Sequence, residues 1–218
     1  ENENVFYYMT LMNENYKHPA MPEGAEGEQV AKDIIKGIYK LERVEAGKGK
    51  SKAVANVQLL GSGTILNEVR KAAQILSEDY GVSSDVYSVT SFNELAREGL
   101  EVSRWNMLNP EAAQKSAHIA SVITKDAGPA IAATDYVKSY SDQVRAFIDT
   151  QYRCLGTDGF GRSDSRANLR THFEVNASYI VVASLFELAN RGEVEKRLVT
   201  EAIKRFNIDT DKLNPLYA

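Results

Sequence analysis

The chain has 218 residues, 43% hydrophobic and 26% charged, a balance that suits one large α/β domain, or a domain with an appendage, around a buried core. Its formal net charge of −4 leaves no surplus of lysine and arginine to neutralise phosphates, which excludes a nucleic-acid partner. The longest uninterrupted apolar run, Tyr179 to Ala183, is far too short for a membrane span, and the first residues, ENENVFYYMT, carry no signal-peptide pattern, so the expected setting is the cytoplasm.

Val5 to Leu11 is aromatic and apolar and reads as a strand. No partner strand or initiator methionine precedes it, so it is expected to belong to a preceding domain largely outside this chain. Such an orphan strand is expected to pack opportunistically, on a second copy or on the domain. Asn13 to Glu26, with Pro19, Pro22 and Gly24, reads as a crossing segment. Gly37 to Val44 and Ala53 to Leu60 are strand candidates joined by AGKGKSK, which predicts an antiparallel hairpin with the first strand at a sheet edge. Gly61-Ser62-Gly63 then leads into a helix with Ile65, Val69, Ala72, Leu76 and Tyr80 on one face and Gly81 at its end.

Asp85 to Thr90 is the next strand, and Ser91 with Glu94 forms a capping-box pattern ahead of Phe92, Leu95 and Ala96. Ala130 to Thr134 reads as a strand, followed by a helix marked by Val137, Tyr140, Val144 and Phe147. Tyr152 to Leu155 is the last strand. It breaks at Gly156, Gly159 and Gly161 and restarts as a helix at Asp164 or Ser165, with Leu169 and Phe173 on one face. Ala177 to Arg191 is apolar on nearly every side and predicts a buried helix ended by Gly192. Val194, Leu198, Ala202, Ile203 and Phe206 form an amphipathic last helix, with Lys196, Arg197, Lys204 and Arg205 on its solvated face. Alternating strands and helices imply a three-layer α/β/α fold, its sheet mostly parallel with an antiparallel edge strand.

Chemistry is sparse. Gly61-Ser62-Gly63 is a candidate anion cradle, but it lacks the Gly-Lys-Ser/Thr of a P-loop and the third glycine of a dinucleotide fingerprint, so a tight structural turn is the preferred reading. The same two readings stand for Gly156 to Ser163, where Arg162, Arg166 and Arg170 add charge. Asp158 and Asp164 flank a helix start and read as caps. Cys154 lies in an apolar run and reads as an inert thiol. His18, His118 and His172 lack ligand spacing, and no metal site is expected. Trp105 reads as a packing anchor.

The wording of several segments is more specific. LGTDGFGRSDSRANLRTHFEV (Leu155 to Val175), NENY (Asn13 to Tyr16), MPEGAE (Met21 to Glu26), KGIYKLE (Lys36 to Glu42) and VQLLGSGTIL (Val57 to Leu66) resemble homodimeric pyruvate dehydrogenase E1 subunits. So do DVYSVTSFNELAREG (Asp85 to Gly99), RWNML (Arg104 to Leu108), ATDY, NASY and FNID, in order and spacing over nearly the whole chain. The glycine turn more loosely resembles transketolases. Two stretches depart from the pattern: Glu28 to Ile35 reads as a longer connector, and Glu111 to His118 lacks the prolines associated with that segment.

The resemblance implies residues 1–26 as the tail of a middle domain with its crossing, and residues 27–218 as a transketolase-like C-terminal domain. The parent enzyme would use thiamine diphosphate and magnesium to decarboxylate pyruvate and pass acetyl to the lipoyl group of E2. This part would carry no catalytic, cofactor or metal residue and would contact the other E1 domains, a second E1 subunit and E2. Thr157-Asp158-Gly159 resembles a cofactor-binding GDG, but Thr157 replaces the first glycine and no paired asparagine follows. Asn13, Glu14 and Asn15 fall where the resemblance implies proximity to the substrate channel, and a polar turn is the alternative. Two other readings stay open: a stand-alone Rossmann-like module binding a small anion at a glycine turn, and a ligand-free interaction scaffold.

Overall fold

The computed structural model describes residues 4–9, 14–46 and 53–218. Strands β1 (Ile38–Val44), β2 (Ala55–Gly61), β3 (Val82–Val89), β4 (Ala130–Ala133) and β5 (Tyr152–Leu155) form one sheet in the order β1-β3-β2-β4-β5. β2 is apolar toward both faces: Val57 and Leu59 enter one core and Leu60 the other, all fully buried. A strand of that kind belongs at the centre of a covered sheet. It pairs in parallel with β3 on one side and β4 on the other, and β5 continues parallel to β4.

Helices cover both faces. α2 (Leu66–Tyr80), α7 (Ala177–Asn190) and α8 (Lys196–Arg205) lie on the side of Val57 and Leu59, with Val69, Leu76, Ile180 and Leu185 at its centre. α3 (Phe92–Leu108), α4 (His118–Val122) and α5 (Lys138–Asp142) lie on the side of Leu60, around Phe92, Leu95, Ile119 and Ile123. The expected three-layer α/β/α architecture is therefore present. α1 (Gly24–Lys36) precedes the sheet, and α6 (Arg166–His172) follows β5.

The helix ends follow local chemistry. Gly81 takes φ 64° after α2 and returns its N–H to Leu76. At the end of α7, Gly192 has φ 75°, its N–H bonds Ala189, and the N–H of Glu193 bonds Leu188, the Schellman arrangement. Only half of the expected capping box forms at α3. Ser91 Oγ accepts from the Glu94 N–H at 3.1 Å, while the Ser91 N–H goes to the Gly37 carbonyl and the Glu94 carboxylate pairs with Arg97.

The expected hairpin is corrected. β1 is the antiparallel edge strand, but it pairs with β3, Arg43 opposite Asp85, and not with β2. Both sides of β2 are already taken by parallel neighbours, and β1 has the half-exposed pattern of an edge. Electrostatics fix the partner. The nearly buried Asp85 receives Lys40 at 2.6 Å and Arg43 at 2.8 Å from β1, and Asn56 Nδ2 at 3.3 Å from β2.

Other expectations shift as well. Residues 28–35 are helical within α1, not a connector; Gly37, at φ 104°, closes that helix onto the carbonyls of Asp33 and Ile34. The helix expected through Val137 and Phe147 is split into α5 and a 3-10 turn, Arg145–Phe147. Residues 4–9 form no strand, and Phe6, Tyr7 and Tyr8 are 84% exposed or more, not packed on the domain. With no strand beside it, such a segment has no ladder to join. Residues 10 and 11 lie outside the described residues.

Burial alone would raise the Asp85 carboxyl, but hydrogen bonds from Lys40 and Arg43 outweigh it and hold the group below its ordinary range. A depressed carboxyl contributes stability that is fully present above the unfolded value and is lost as pH falls through the folded one. Asp85→Asn is therefore expected to cost about 1–3 kcal/mol at neutral pH, since Lys40 and Arg43 retain some access to water. The difference from the parent chain should shrink below about pH 4. Urea melts at neutral and acid pH check both statements.

Candidate functional site

The chain leaves β2 to build β3 on one side, while β4 lies on the other, so the sheet has its topological switch point between β2 and β4. In open α/β sheets, ligands bind outside the carboxyl ends of the strands at that point. Three turns meet there. Gly61-Ser62-Gly63 follows β2, Thr134-Asp135 follows β4, and Gly156-Thr157 follows β5.

The glycine turn after β2 is built for packing. A Cβ on Gly61 would lie 2.7 Å from the Cα of Leu66 and 3.1 Å from Val69, so glycine lets α2 close onto the strand. Gly63 takes φ 55°. The Ser62 N–H donates to the Ala133 carbonyl at 3.3 Å and its hydroxyl donates to Thr134 Oγ1 at 2.8 Å, so both donors are directed to protein acceptors. Thr64 Oγ1 donates to Asp135 Oδ2 at 3.3 Å, and Thr157 Oγ1 donates to the Asp135 carbonyl at 2.5 Å. A cavity of about 170 Å³ lies among Thr64, Asp135, Thr157, Arg166 and Arg170 over an apolar floor that includes Ile65 and Phe173.

α6 supplies the two arginines. Ser165 Oγ, not Asp164, caps the helix, accepting from the Asn168 N–H at 3.3 Å. Asp164 accepts from the Asn168 side chain at 2.9 Å and the Ser165 N–H at 2.6 Å, and these bonds lower its carboxyl. Asp158 departs from its expected role at this helix. It accepts from the Lys138 N–H at 2.9 Å, with the Lys138 ammonium at 3.5 Å, and so serves the start of α5. Asn13 lies outside the described residues and Asn15 is exposed, but Glu14 pairs with Arg166. Tyr16 donates its hydroxyl to Glu14 at 2.7 Å, and Arg170 reaches the same hydroxyl at 3.5 Å. The fold thus brings Glu14 and the glycine turns to one place.

Sequence reasoning passed over Glu68. It sits between Ile65 and Val69 on the apolar face of α2, nearly buried. Its carboxylate accepts from Arg170 at 3.2 Å, from Lys71 at 2.9 Å and from the Ala177 N–H, at the first turn of α7, at 3.1 Å. A charged residue inside an apolar helical stripe was the available signal, because such a group needs buried partners.

The residues present do not fit a magnesium-bound diphosphate. Asp158 is committed to α5, and among the described residues no group of three His, Cys, Asp or Glu is placed to hold a metal ion. Burial raises the Cys154 thiol, which keeps it in the unreactive protonated form. Among the described residues, no helix is long and apolar enough to cross a membrane.

Residues 37–176 match the profile of the transketolase-like TK C-terminal domain. The chain belongs to that family. It is 60% identical over 217 residues to the pyruvate dehydrogenase E1 component of Escherichia coli (strain K12), and 56% identical over 217 residues to that of Haemophilus influenzae. Each alignment covers 99% of this chain and 23% of the relative, so the chain spans about a quarter of the length of the proteins it matches. A crystal structure of transketolase from Campylobacter jejuni aligns with 71% of this chain and 19% of its own, at 19% identity and a TM-score of 0.46.

Within this transketolase-like C-terminal domain, the two glycines of the turn after β5 differ physically. Gly159 has φ 88°, and a Cβ there would run into the Pro215 carbonyl; Gly161 has open space around it and no left-handed φ. Gly159→Ala is expected to cost at least about 1–2 kcal/mol of backbone strain. Gly161→Ala should stay within about 0.5 kcal/mol of the parent chain. Thermal melts of the pair separate the two residues.

Proposed function

We propose that this chain is the C-terminal part of a pyruvate dehydrogenase E1 subunit. The observation that carries the reading is 60% identity over 99% of the chain to one 23% portion of such a component. The whole subunit would decarboxylate pyruvate on thiamine diphosphate and magnesium and pass the acetyl group to the lipoyl arm of E2, in the cytoplasm. Residues 1–26 would be the tail of the preceding domain and residues 27–218 the C-terminal domain. The family match, residues 37–176, lies within the second part, while α1 (Gly24–Lys36) runs across the boundary between the two.

The role of this part is architectural. At the carboxyl edge of the sheet, Tyr136 and Val137 after β4, Phe160 after β5, and Leu216 and Tyr217 near the Gly159 turn all expose apolar surface. Such clusters mark protein contacts. Their occupants would be the other E1 domains, a second E1 subunit and E2. Asn13, Glu14 and Asn15 would lie at the entry from the preceding domain, close to the substrate channel. Gly61, Ser62 and Gly63 would serve packing, as the close approach of α2 to Gly61 supports.

Titration calorimetry of the isolated chain with thiamine diphosphate and magnesium should be flat. An Escherichia coli E1 truncated before this portion should lose pyruvate decarboxylation and acetyl transfer to a lipoyl domain, and regain both when its own portion is replaced by this chain. Micromolar cofactor binding by the isolated chain, or a chimera that folds and dimerises without activity, would count against the proposal.

A further inference from the structure

The helix that borders the switch-point crevice, α6, lies at the surface of the fold. No residue of α6 is buried, although Arg166 and Arg170 line the cavity from it. Leu169 packs from it against the core, and its other anchors are polar. Arg170 reaches Glu68 at 3.2 Å, Lys212 donates to the His172 carbonyl at 2.7 Å, and Arg166 pairs with Glu14. Segments with few buried apolar contacts open at a small fraction of the global unfolding free energy.

The contact to Glu14 differs from the other two. Glu68 sits on a core helix and Lys212 on the chain after α8, so both belong to the domain itself. Glu14 and Tyr16 instead lie before α1, on the segment that enters the domain. Arg166 and Arg170 stand four residues apart on one face of α6. They meet one carboxylate–phenol pair, because the Tyr16 hydroxyl donates to Glu14 and also receives Arg170. The position of the entering segment is therefore linked, through two arginines, to the helix and onward to Glu68, α2 and the start of α7.

We propose that α6 is a lid over the crevice between the ends of β2, β4 and β5, and that Glu14 on the entering segment is its latch. While the segment lies across the helix, the lid is closed and the crevice is narrow. Withdrawal of the segment removes the Glu14 contact from Arg166 and loosens α6 without disturbing the sheet. The side chains of Arg166 and Glu14 are 39% and 49% exposed, which suits a contact made and broken in water.

Amide hydrogen exchange on the 218-residue chain tests this. Glu14→Gln should speed exchange across Arg166–His172 roughly two- to fivefold, the scale of a half-exposed ion pair. Arg166→Gln should do the same, and the double variant should fall short of the product of the two, because the Glu14–Arg166 contact is lost in both. Exchange in β2 should not change in any of them. Arg197→Gln, which breaks a 2.6 Å pair with Glu201 on α8, should leave α6 untouched. Unchanged exchange in α6 of Glu14→Gln, effects that multiply in the double variant, or an equal rise in β2 would each overturn the proposal.

Discussion

The placement of β2 at the centre of the sheet is the constraint on which the rest of the structure depends. With Val57 and Leu59 buried on one face and Leu60 on the other, the strand tolerates water on neither side. Its backbone is then satisfied by a parallel neighbour on each edge, and its faces by helices. From this follow the displacement of β1 to the outside of β3, the division of the core in two, and a switch point between β2 and β4 where the turns converge. A fully buried Gln58 in the same strand adds a polar staple: its side chain donates to the carbonyls of Thr124 and Gly128 and accepts from the Thr124 N–H. That network ties the loop before β4 to the centre and pairs both the nitrogen and the oxygen of the Gln58 amide.

The buried carboxylates divide the remaining work. Asp85 fixes the edge strand, Glu68 joins α2 to α6 and α7, and Glu187 on α7 receives Arg153 of β5 at 2.6 Å. In each case the acid is almost buried while a cation reaches it from a more exposed position. Such pairs add little net stability over an apolar substitute, yet losing one partner is costly, so they act mainly by making alternative arrangements expensive. An edge strand shifted by one residue would turn Arg43 to the opposite face and leave Asp85 without it.

Much of the fold was legible because its signals are local. β5, α2, α7 and α8 follow from apolar periodicity and from glycines at helix ends, properties carried within a single stretch of chain. The partner of β1 was not legible, because a lysine- and glycine-rich connector permits a hairpin without requiring one, and the deciding contact, Arg43 with Asp85, spans distant segments. α1 was missed for a related reason: Gly27 is the buried residue of a largely solvated helix, packed against the Pro22 carbonyl, and a glycine is a poor advertisement for helix. At the candidate site, the glycine turns and Glu14 were each visible, but their meeting was not. Tyr16 and Glu68, which connect them, acquire their roles only when α6 folds back across the crevice.

The chemistry of that crevice helps explain why a fold that elsewhere houses ligands looks here like a partner in an assembly. Ser62 is bonded to Thr134, Thr64 and Thr157 to Asp135, Asp158 to Lys138, and the arginines of α6 to Glu14 and Glu68. A ligand entering there would have to displace protein hydrogen bonds, recovering little net energy for each exchange. Around the same edge, Tyr136, Phe160 and Tyr217 expose large apolar area. Covering such area with protein gains free energy in proportion to the surface removed from water. Polar groups that already satisfy one another, rimmed by apolar groups still open to solvent, favour burial against another folded surface over capture of a small molecule.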